Sequence, residues 1–345
     1  YIKLIYLQIR FSKTYQAFKV NGSNLNFWPQ LRDDWNCSFL GKSAVSNLIY
    51  IELFDQHLRE LPYQKFGFYL CENIGWEKAL IAAWNKHHHG NLVAVPHSTV
   101  RFWDLRYFSD PKININENYY NVPVPNFYAL NGEIAWEHFS KNGYSKTKLL
   151  KAEALRYQFL ENHFSHAKIP HSSDSKINKQ KVLILGDFTE KQTHLMLDDL
   201  ESIFNSYKYL PEYTIKPHPV SNINIKKYTS IGLRKYDGLL QDILKEYDVV
   251  FSSNTTNACV DCLLMGAKVI IFMDSDELNH NPLRGIEGIQ FVRSPDELYT
   301  ALNSKDNNKI NYKNETFFWL NSEIPLWKSI IKKLSNKENE HSIQK

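Results

Sequence analysis

The chain has no stretch of 18 or more consecutive apolar residues, the length that a membrane-spanning helix requires. Residues 1–11 are apolar but interrupted by charge. This short run predicts a β-strand. It is not a signal peptide, because it lacks the long apolar core and the cleavage site. Four cysteines in 345 residues are too few for a disulfide framework. We therefore expect the reducing cytoplasm as the compartment.

Metal-binding patterns are also scarce. Cys259 and Cys262 form a Cys-x-x-Cys pair, but no second such pair accompanies them. The pair falls within a predicted buried helix, where free cysteines act as small apolar residues. The run His87-His88-His89 is a poor metal site, because successive positions at a helix end point in different directions. We expect neither a metal ion nor an organic cofactor.

The chain lacks a strong net charge and a glycine-rich dinucleotide fingerprint. With 41 basic and 37 acidic residues, the net charge of +4 is too weak to indicate nucleic acid, although it suits an anionic substrate or membrane face. No Gly-x-Gly-x-x-Gly occurs, which argues against a dehydrogenase. Because the first residue is Tyr1 rather than Met, we expect a module of a longer polypeptide.

Apolar and amphipathic segments alternate in the C-terminal half. Ser294-Pro295, followed by two acidic residues, is typical of a helix start. Strands that alternate with helices imply a parallel sheet with right-handed crossovers. The predicted strands are 181–188, 213–219, 248–253, 268–274 and 288–293, and the predicted helices are 189–204, 239–247, 256–267 and 295–304.

The N-terminal half shows the same alternation less regularly. Its predicted strands are 66–71, 92–97 and 126–132, and its predicted helices are 44–61, 76–87, 133–143 and 149–163. Residues 164–180 are polar and predict a linker. The expected fold class is α/β, GT-B-like, with two Rossmann-like domains whose parallel sheets face a central cleft. We expect domains at 1–165 and 181–330, a linker at 166–180 and a charged tail at 331–345.

Polar clusters follow the predicted strands of the second domain. Lys216-Pro217-His218-Pro219 ends one strand, and Ser252-Ser253-Asn254-Thr255-Thr256 ends the next and precedes a helix. Open α/β sheets bind ligands at the carboxyl ends of their strands. Hydroxyls and free backbone N–H groups suit an anion, and a neighbouring histidine adds a donor. This arrangement predicts a nucleotide-phosphate site, to which Gly186-Asp187 after the first strand also belongs.

The two motifs resemble the His-Pro and Ser/Ser-Thr motifs of bacterial GT-B transferases that use CMP-activated acidic sugars, including capsule sialyltransferases and Kdo transferases. Four N-terminal stretches are similar to a bacterial surface-carbohydrate (O-antigen) biosynthesis family, namely 27–41, 69–84, 95–108 and 153–157. The resemblance implies that His218 donates to the nucleotide phosphate and takes part in catalysis without a metal.

Carboxylates in the first domain are candidates for the general base that activates an acceptor hydroxyl. Glu72 directly follows a predicted strand, and Asp33 and Asp34 lie in a predicted loop. Trp76 could stack on an acceptor sugar. Glu77 could bind the acceptor, or it could complement the dipole of the helix that it opens.

A polar cluster after the strand at 92–97 is the second acceptor-side candidate. Its members are His97, Ser98, Thr99, Arg101, Asp104 and Arg106. An acidic sugar or a lipid-linked acceptor would need such groups, and a structural ion-pair network explains them equally well.

Asp274-Ser275-Asp276 matches the Asp-x-Asp metal signature of the GT-A class. It belongs to the same predicted sheet as the His-Pro and Ser motifs, where a metal is usually not needed, so we interpret it as a loop.

The function we expect is transfer of a sugar from a nucleotide, favoured as a CMP-linked acidic sugar such as Kdo, to a surface polysaccharide or lipid-linked glycan. Peripheral contact with the inner membrane fits this reaction, and nucleic acid does not. Three alternatives stay open: a UDP- or GDP-hexose glycosyltransferase, a sugar-nucleotide 2-epimerase of the same fold, and a non-catalytic glycan-binding module.

Overall fold

The computed structural model describes residues 1–11, 14–101, 104–108, 110, 112–113, 122–161, 179–247, 249–304 and 316–336. The chain divides into two compact units. The first comprises Tyr1–Val95, Ser109–Tyr128 and Lys332–Lys345, and the second comprises Pro96–Phe108 and Ala129–Ile331. The domain limits inferred from the sequence remain a prediction, and most of the predicted linker lies outside the described residues.

The helices in the described part of the chain are α1 Ile2–Phe11, α2 Trp28–Phe39, α3 Gly41–Glu60, α4 Gly75–Lys86, α5 Glu133–Lys141, α6 Glu190–Tyr207, α7 Leu240–Ile243, α8 Ala258–Leu264, α9 Pro295–Asn303 and α10 Pro325–Asn336. Short 3₁₀ segments lie at Thr14–Phe18, Lys146–Lys148, Leu155–Leu160, Ile225–Ile231 and Leu244–Glu246. None of the described helices is long and apolar enough to cross a membrane.

Four strands form an N-terminal sheet in the order β1-β2-β3-β4, with β1 at Phe66–Leu70, β2 at Asn91–Val95, β3 at Phe127–Leu130 and β4 at Leu149–Lys151. β2 pairs in parallel with both β1 and β3. Helix α4 covers β1 closely, since a Cβ atom on Gly67 would lie 2.6 Å from the ring of Trp84. The Trp84 indole N–H donates to the carbonyl of Gly90, which anchors this contact.

Six strands form a C-terminal sheet in the order β10-β9-β8-β5-β6-β7, and every pair is parallel. The strands are β5 Lys181–Leu185, β6 Glu212–Lys216, β7 Arg234–Lys235, β8 Val249–Ser252, β9 Lys268–Phe272 and β10 Gln290–Val292. Val182 and Ile184 share one apolar cluster with buried side chains of α6 and α9, and Leu183 and Leu185 share another with those of α7 and α8. Helices therefore cover both faces, and each buried apolar side chain contributes about 1.5–3 kcal/mol.

The predicted alternation of strands and helices over 181–303 is confirmed, with element ends shifted by a few residues. Ser294 caps α9 as predicted, because its hydroxyl accepts the backbone N–H of Glu297 and Pro295 occupies the first turn. In the N-terminal half, the predicted helices at 44–61, 76–87 and 133–143 are confirmed as α3, α4 and α5.

Two predictions were wrong. Residues 1–11 form α1 instead of a strand, and the Gln8 side-chain amide donates to Asn36 of α2 at 2.9 Å. An apolar run without clear periodicity fits either element, so packing against α2 decides. The helix predicted at 149–163 is β4 followed by the 3₁₀ segment. There the Ala152 N–H continues the pairing with Leu130, which overrides helix propensity.

One loop prediction also needs correction, and α10 extends past the predicted start of the charged tail. Asp33 and Asp34 lie on helix α2, whose first turn carries a proline, rather than in a loop. The predicted charged tail at 331–345 begins inside α10, where Trp327, Ile330 and Leu334 are buried at helical spacing. In α10 an apolar stripe stabilises a helix that local charge obscures in the sequence. Helix α2 has no buried residue, and its Trp28, Trp35 and Phe39 rings contact one another instead.

The Glu153–Tyr157 stretch ties distant segments of the second unit together. The buried Glu153 carboxylate accepts the backbone N–H groups of Leu326 at 2.7 Å and Trp327 at 3.0 Å, which caps the start of α10. The ring of Tyr157 stacks on Phe318 with centroids 3.8 Å apart. This sequence stretch therefore has a clear structural role.

Replacing Glu153 by Ala should lower the free energy of unfolding by about 3 kcal/mol, because two N–H groups of α10 lose a charged acceptor. Urea denaturation measures the change. Glu323→Ala is the matched control, since that carboxylate lies near the start of the same helix but its side chain is 84% exposed. Equal losses in the two variants would contradict the capping role.

Candidate functional site

The C-terminal sheet has a topological switch point between β5 and β8. From β5 the chain adds β6 and β7 on one side, and it then crosses over to add β8, β9 and β10 on the other. Connections leave the carboxyl ends of β5 and β8 in opposite directions, which opens a crevice there. The residues that follow these two strands are Gly186-Asp187 and Ser253-Asn254-Thr255-Thr256-Asn257. We call the latter the Ser253–Asn257 loop.

Asp187 fastens the two strand ends together. Its side chain is buried, and its Oδ2 accepts the hydroxyl of Thr255 at 2.6 Å. Its Oδ1 accepts the backbone N–H of Thr189 at 2.9 Å, with the Thr189 hydroxyl at 3.2 Å. The Asp187 N–H in turn donates to Thr193. Both carboxylate oxygens are therefore engaged within the protein, which supports a positioning role.

The hydroxyls predicted to bind nucleotide differ in their availability. Ser252 is the last residue of β8, and its hydroxyl donates to the Ser253 carbonyl at 3.1 Å. The Thr255 hydroxyl donates its hydrogen bond to the Asp187 carboxylate. The Ser253 hydroxyl is fully buried and has no hydrogen-bond partner among the described residues. Ser253 is therefore the serine or threonine of this loop whose buried hydroxyl most needs a ligand.

The backbone of the Ser253–Asn257 loop presents a run of donors. Among the described residues, no acceptor bonds the N–H groups of residues 254–257. The loop is held from behind by Asn281, whose side-chain amide donates to the Asn254 carbonyl at 3.1 Å. Helix α8 begins only at Ala258, later than predicted, so these N–H groups belong to a turn. Successive N–H groups in turns bind anions.

The His-Pro motif lies at the end of β6, beside β5. His218 is half-buried, its Nδ1 faces the Val220 N–H at 3.4 Å, and its ring meets the exposed Phe188 edge-on. Lys216 instead donates to the Gly238 carbonyl and lies over the Tyr236 ring, toward the β7 side. Pro219 is exposed. β6 and β8 are two strand spacings apart, about 10 Å.

The cluster after β2 reaches the same loop. Arg101 donates from Nη1 to the Thr255 carbonyl at 3.3 Å. Asp104 is buried and accepts two 2.7 Å hydrogen bonds from Arg106. Ser98 is buried and its hydroxyl has no partner among the described residues. His97 is half-buried nearby in the chain. The Arg101 contact joins this cluster to the predicted nucleotide site.

Asp261 on α8 is a candidate that the sequence reasoning missed. Burial raises the pKa of its carboxyl to about 7, and the charge of Arg156 opposes this shift. Its Oδ1 has no hydrogen-bond partner among the described residues. Burial also raises the pKa of Tyr157, and the charge of Asp261 adds to that effect. The signal in the sequence was an acidic residue inside the otherwise apolar helix ACVDCLL.

The acceptor-side candidates of the first unit have different environments. Glu77 is buried, and its carboxylate accepts the N–H groups of Glu72 at 2.7 Å and Asn73 at 3.0 Å. This bonding supports a structural role for Glu77 as the cap of α4. Glu72 is half-buried, and Trp76 packs edge-on against Tyr69.

Asp33 and Asp34 are exposed on the surface of helix α2. The Asp33 side chain is 82% exposed and pairs with Arg32 at 3.2 Å. An exposed pair of this kind contributes little stability.

The Asp-x-Asp segment has partners within the protein. Asp274 and Glu277 both accept hydrogen bonds from the side-chain amide of Gln192, at 2.8 and 2.7 Å. The Gln192 hydrogen bond lowers the pKa of Asp274. In the described part of the chain, no three His, Cys, Asp or Glu side chains form a metal-binding group.

No protein-family model and no curated protein sequence matches the chain. Solved structures do match it in fold. UDP-GlcNAc 2-epimerase of Methanocaldococcus jannaschii is 12% identical, with a TM-score of 0.51 over 86% of this chain and 82% of that one. MnaA of S. aureus, solved with UDP, is 10% identical, with a TM-score of 0.53 over 85% of this chain and 79% of that one. UDP-GlcNAc 2-epimerase of Neisseria meningitidis is 10% identical, with a TM-score of 0.52 over 89% of this chain and 88% of that one. The predicted α/β fold of the GT-B type is confirmed.

Asp261 should make stability depend on pH. Burial raises the pKa of Asp261 from 3.8 to about 7, so the folded state binds the proton more tightly than the unfolded state does. The contribution of Asp261 to the free energy of unfolding is therefore fully present below about pH 4 and is lost as the pH rises to about 7. Asp261→Asn should therefore gain on the order of 2 kcal/mol relative to the wild type between about pH 5 and pH 8. Urea denaturation at both pH values tests this, and the comparison cancels other titrating groups such as Asp199. A constant difference between the two proteins would contradict it.

Proposed function

We propose that the chain is a sugar-nucleotide-dependent glycosyltransferase whose donor phosphate binds at the Ser253–Asn257 loop. The observation that supports this most strongly is the run of backbone N–H groups without acceptors, beside a fully buried and unpartnered Ser253 hydroxyl. Leaving such a hydroxyl without a hydrogen bond costs about 1–3 kcal/mol, so a ligand that accepts a hydrogen bond from it recovers that energy. The loop also lies at the switch point, where α/β folds bind ligands.

A phosphate at this loop would be stabilised as it leaves the sugar. The acceptor hydroxyl gives its proton to the general base and attacks the anomeric carbon, the bond from that carbon to the phosphate oxygen breaks, and the negative charge collects on the nucleotide. Preformed N–H donors aimed at that charge lower the barrier without reorganising. His218 supplies a further donor from the β6 side, since its Nδ1 faces the Val220 N–H and its Nε2 remains for a ligand.

The favoured donor is a CMP-linked acidic sugar such as Kdo, and the favoured acceptor is a surface polysaccharide or lipid-linked glycan. The Lys216–Pro219 and Ser252–Thr256 motifs support the nucleotide. Asp261 is not assigned a role in donor binding, because its oxygen that lacks a partner among the described residues is buried. Glu72 or the Asp33–Asp34 pair is proposed as the general base that activates the acceptor. The reaction is proposed to take place at the cytoplasmic face of the inner membrane.

Epimerisation of a sugar nucleotide is the second candidate. Two of the three solved structures named above are UDP-GlcNAc 2-epimerases, and the third, MnaA, was solved with UDP. All three share the fold of this chain at low sequence identity. Both reactions need a nucleotide-phosphate site, so the site alone favours neither. They differ in whether an acceptor is consumed.

Calorimetry with CMP, CDP, UDP and GDP should give the tightest binding for CMP. Ser253→Ala and His218→Ala should each weaken binding by about tenfold or more, because each removes a hydrogen bond to a charged phosphate. The Ser253 change breaks no hydrogen bond of its side chain within the described protein. Ser230→Ala, an exposed serine bonded to Glu201, is the matched control and should bind as the wild type does. Failure of every nucleotide to bind would contradict the proposal.

Product analysis separates the candidate reactions. Incubation with the donor that binds should release free nucleotide and extend a glycan only when an acceptor is present, as followed by mass spectrometry and NMR. An epimeric sugar nucleotide formed without an acceptor would instead identify an epimerase. Glycan binding without nucleotide would identify a non-catalytic module.

A further inference from the structure

Two arginines share a single buried carboxylate in the second unit. Asp104 is only 3% exposed, and both of its oxygens accept 2.7 Å hydrogen bonds from Arg106. Arg101 Nε lies 3.7 Å from the same carboxylate. Arg106 thus engages Asp104 more closely than Arg101 does, and the guanidinium of Arg101 carries a positive charge that is only partly exposed. A partly buried charge of this kind favours an anionic partner.

Arg101 has neighbours at two of its three guanidinium nitrogens, and the third is open. Its Nη1 donates to the Thr255 carbonyl, and its Nε faces Asp104. Its Nη2 has no partner in the described part of the chain, and its side chain is 23% exposed. Tethering of this kind fixes the plane of the guanidinium and leaves donors for a ligand.

The position of Arg101 connects it to the loop with open N–H groups. The Thr255 carbonyl binds Arg101, and the Thr255 N–H belongs to the run without acceptors. The Asp187 carboxylate also belongs to this network, because it accepts hydrogen bonds from the Thr255 hydroxyl and from two groups of Thr189. Asp187 is thus held by these donors, and it forms no hydrogen bond with Arg101.

We propose that Arg101 recognises a pair of anionic oxygens on the substrate, from either the nucleotide phosphate or the carboxylate of an acidic sugar. Asp104 is the positioning residue, because it orients Arg101 and Arg106 without an open oxygen of its own. A guanidinium suits this task better than an ammonium, since its planar fork binds two oxygens at once. The identity of the ligand rests on the proposed function, whereas the anion preference does not.

The test compares the wild type with Arg101→Met and Arg101→Lys, using inorganic pyrophosphate, CMP and cytidine as calorimetric probes. Arg101→Met should bind pyrophosphate at least tenfold more weakly, and Arg101→Lys should lie between the two. Arg234→Met is the matched control, because it removes one positive charge from a side chain that is 73% exposed at the edge strand β7. Thermal unfolding of each variant confirms that it is folded.

The outcomes separate the two sources of the anion. Weaker binding of CMP with unchanged binding of cytidine assigns Arg101 to the phosphate. Unchanged CMP binding, with at least a tenfold loss of transfer from an acidic-sugar donor but not from a neutral one, assigns it to the sugar carboxylate. Both results support the inference. Equal losses for cytidine and CMP, or no change with any probe, would overturn it.

Failure of this inference can be told apart from failure of the proposed function. If the wild type binds pyrophosphate through Arg101 but binds no nucleotide, the anion site stands and the transferase proposal falls. If nucleotides bind and Arg101→Met changes neither anion affinity nor donor selectivity, the transferase proposal stands and the role of Arg101 falls.

Discussion

The hydrogen bond from the Thr255 hydroxyl to the Asp187 carboxylate is the contact on which the candidate site depends. At 2.6 Å it joins the loop after β5 to the loop after β8, the two strands that flank the switch point. Parallel strands bring their carboxyl ends to one edge, but they do not fix the loops beyond. The buried Asp187 carboxylate fixes these loops by accepting three hydrogen bonds, because the loss of any one leaves part of a buried charge unsatisfied.

The bond also divides the polar residues into two groups. The side chains of Asp187, Thr255 and Ser252 bond to the protein, whereas the Ser253 hydroxyl and the backbone N–H groups of residues 254–257 have no partners in the described residues. The first group builds the loop and the second group is left for a ligand. A site of this kind is preorganised, so little conformational entropy is lost when a ligand binds.

Much of the C-terminal fold could be predicted from the sequence, because five of its six strands contain short apolar runs, whereas the edge strand β7 consists of two exposed charged residues and was missed. Order along the chain also placed the Lys216–Pro219 and Ser252–Thr256 motifs at strand ends. The roles of individual hydroxyls could not be predicted, since Thr255 meets Asp187 across 68 positions and Arg101 across 154. The N-terminal run at 1–11 was misjudged because its apolar residues follow neither period, and only packing against α2 selects a helix.

The four cysteines have very different surroundings. Cys37 is exposed, whereas Cys71, Cys259 and Cys262 are buried, and none of the four forms a disulfide. Burial raises the pKa of Cys71 and of Cys259 to about 12, so almost none of either is present as the reactive thiolate at neutral pH. An alkylating reagent therefore meets one accessible sulfur in the folded chain. The rates at which the other three cysteines are modified would report how often the end of β1 and helix α8 open to solvent, so one reagent would probe both regions.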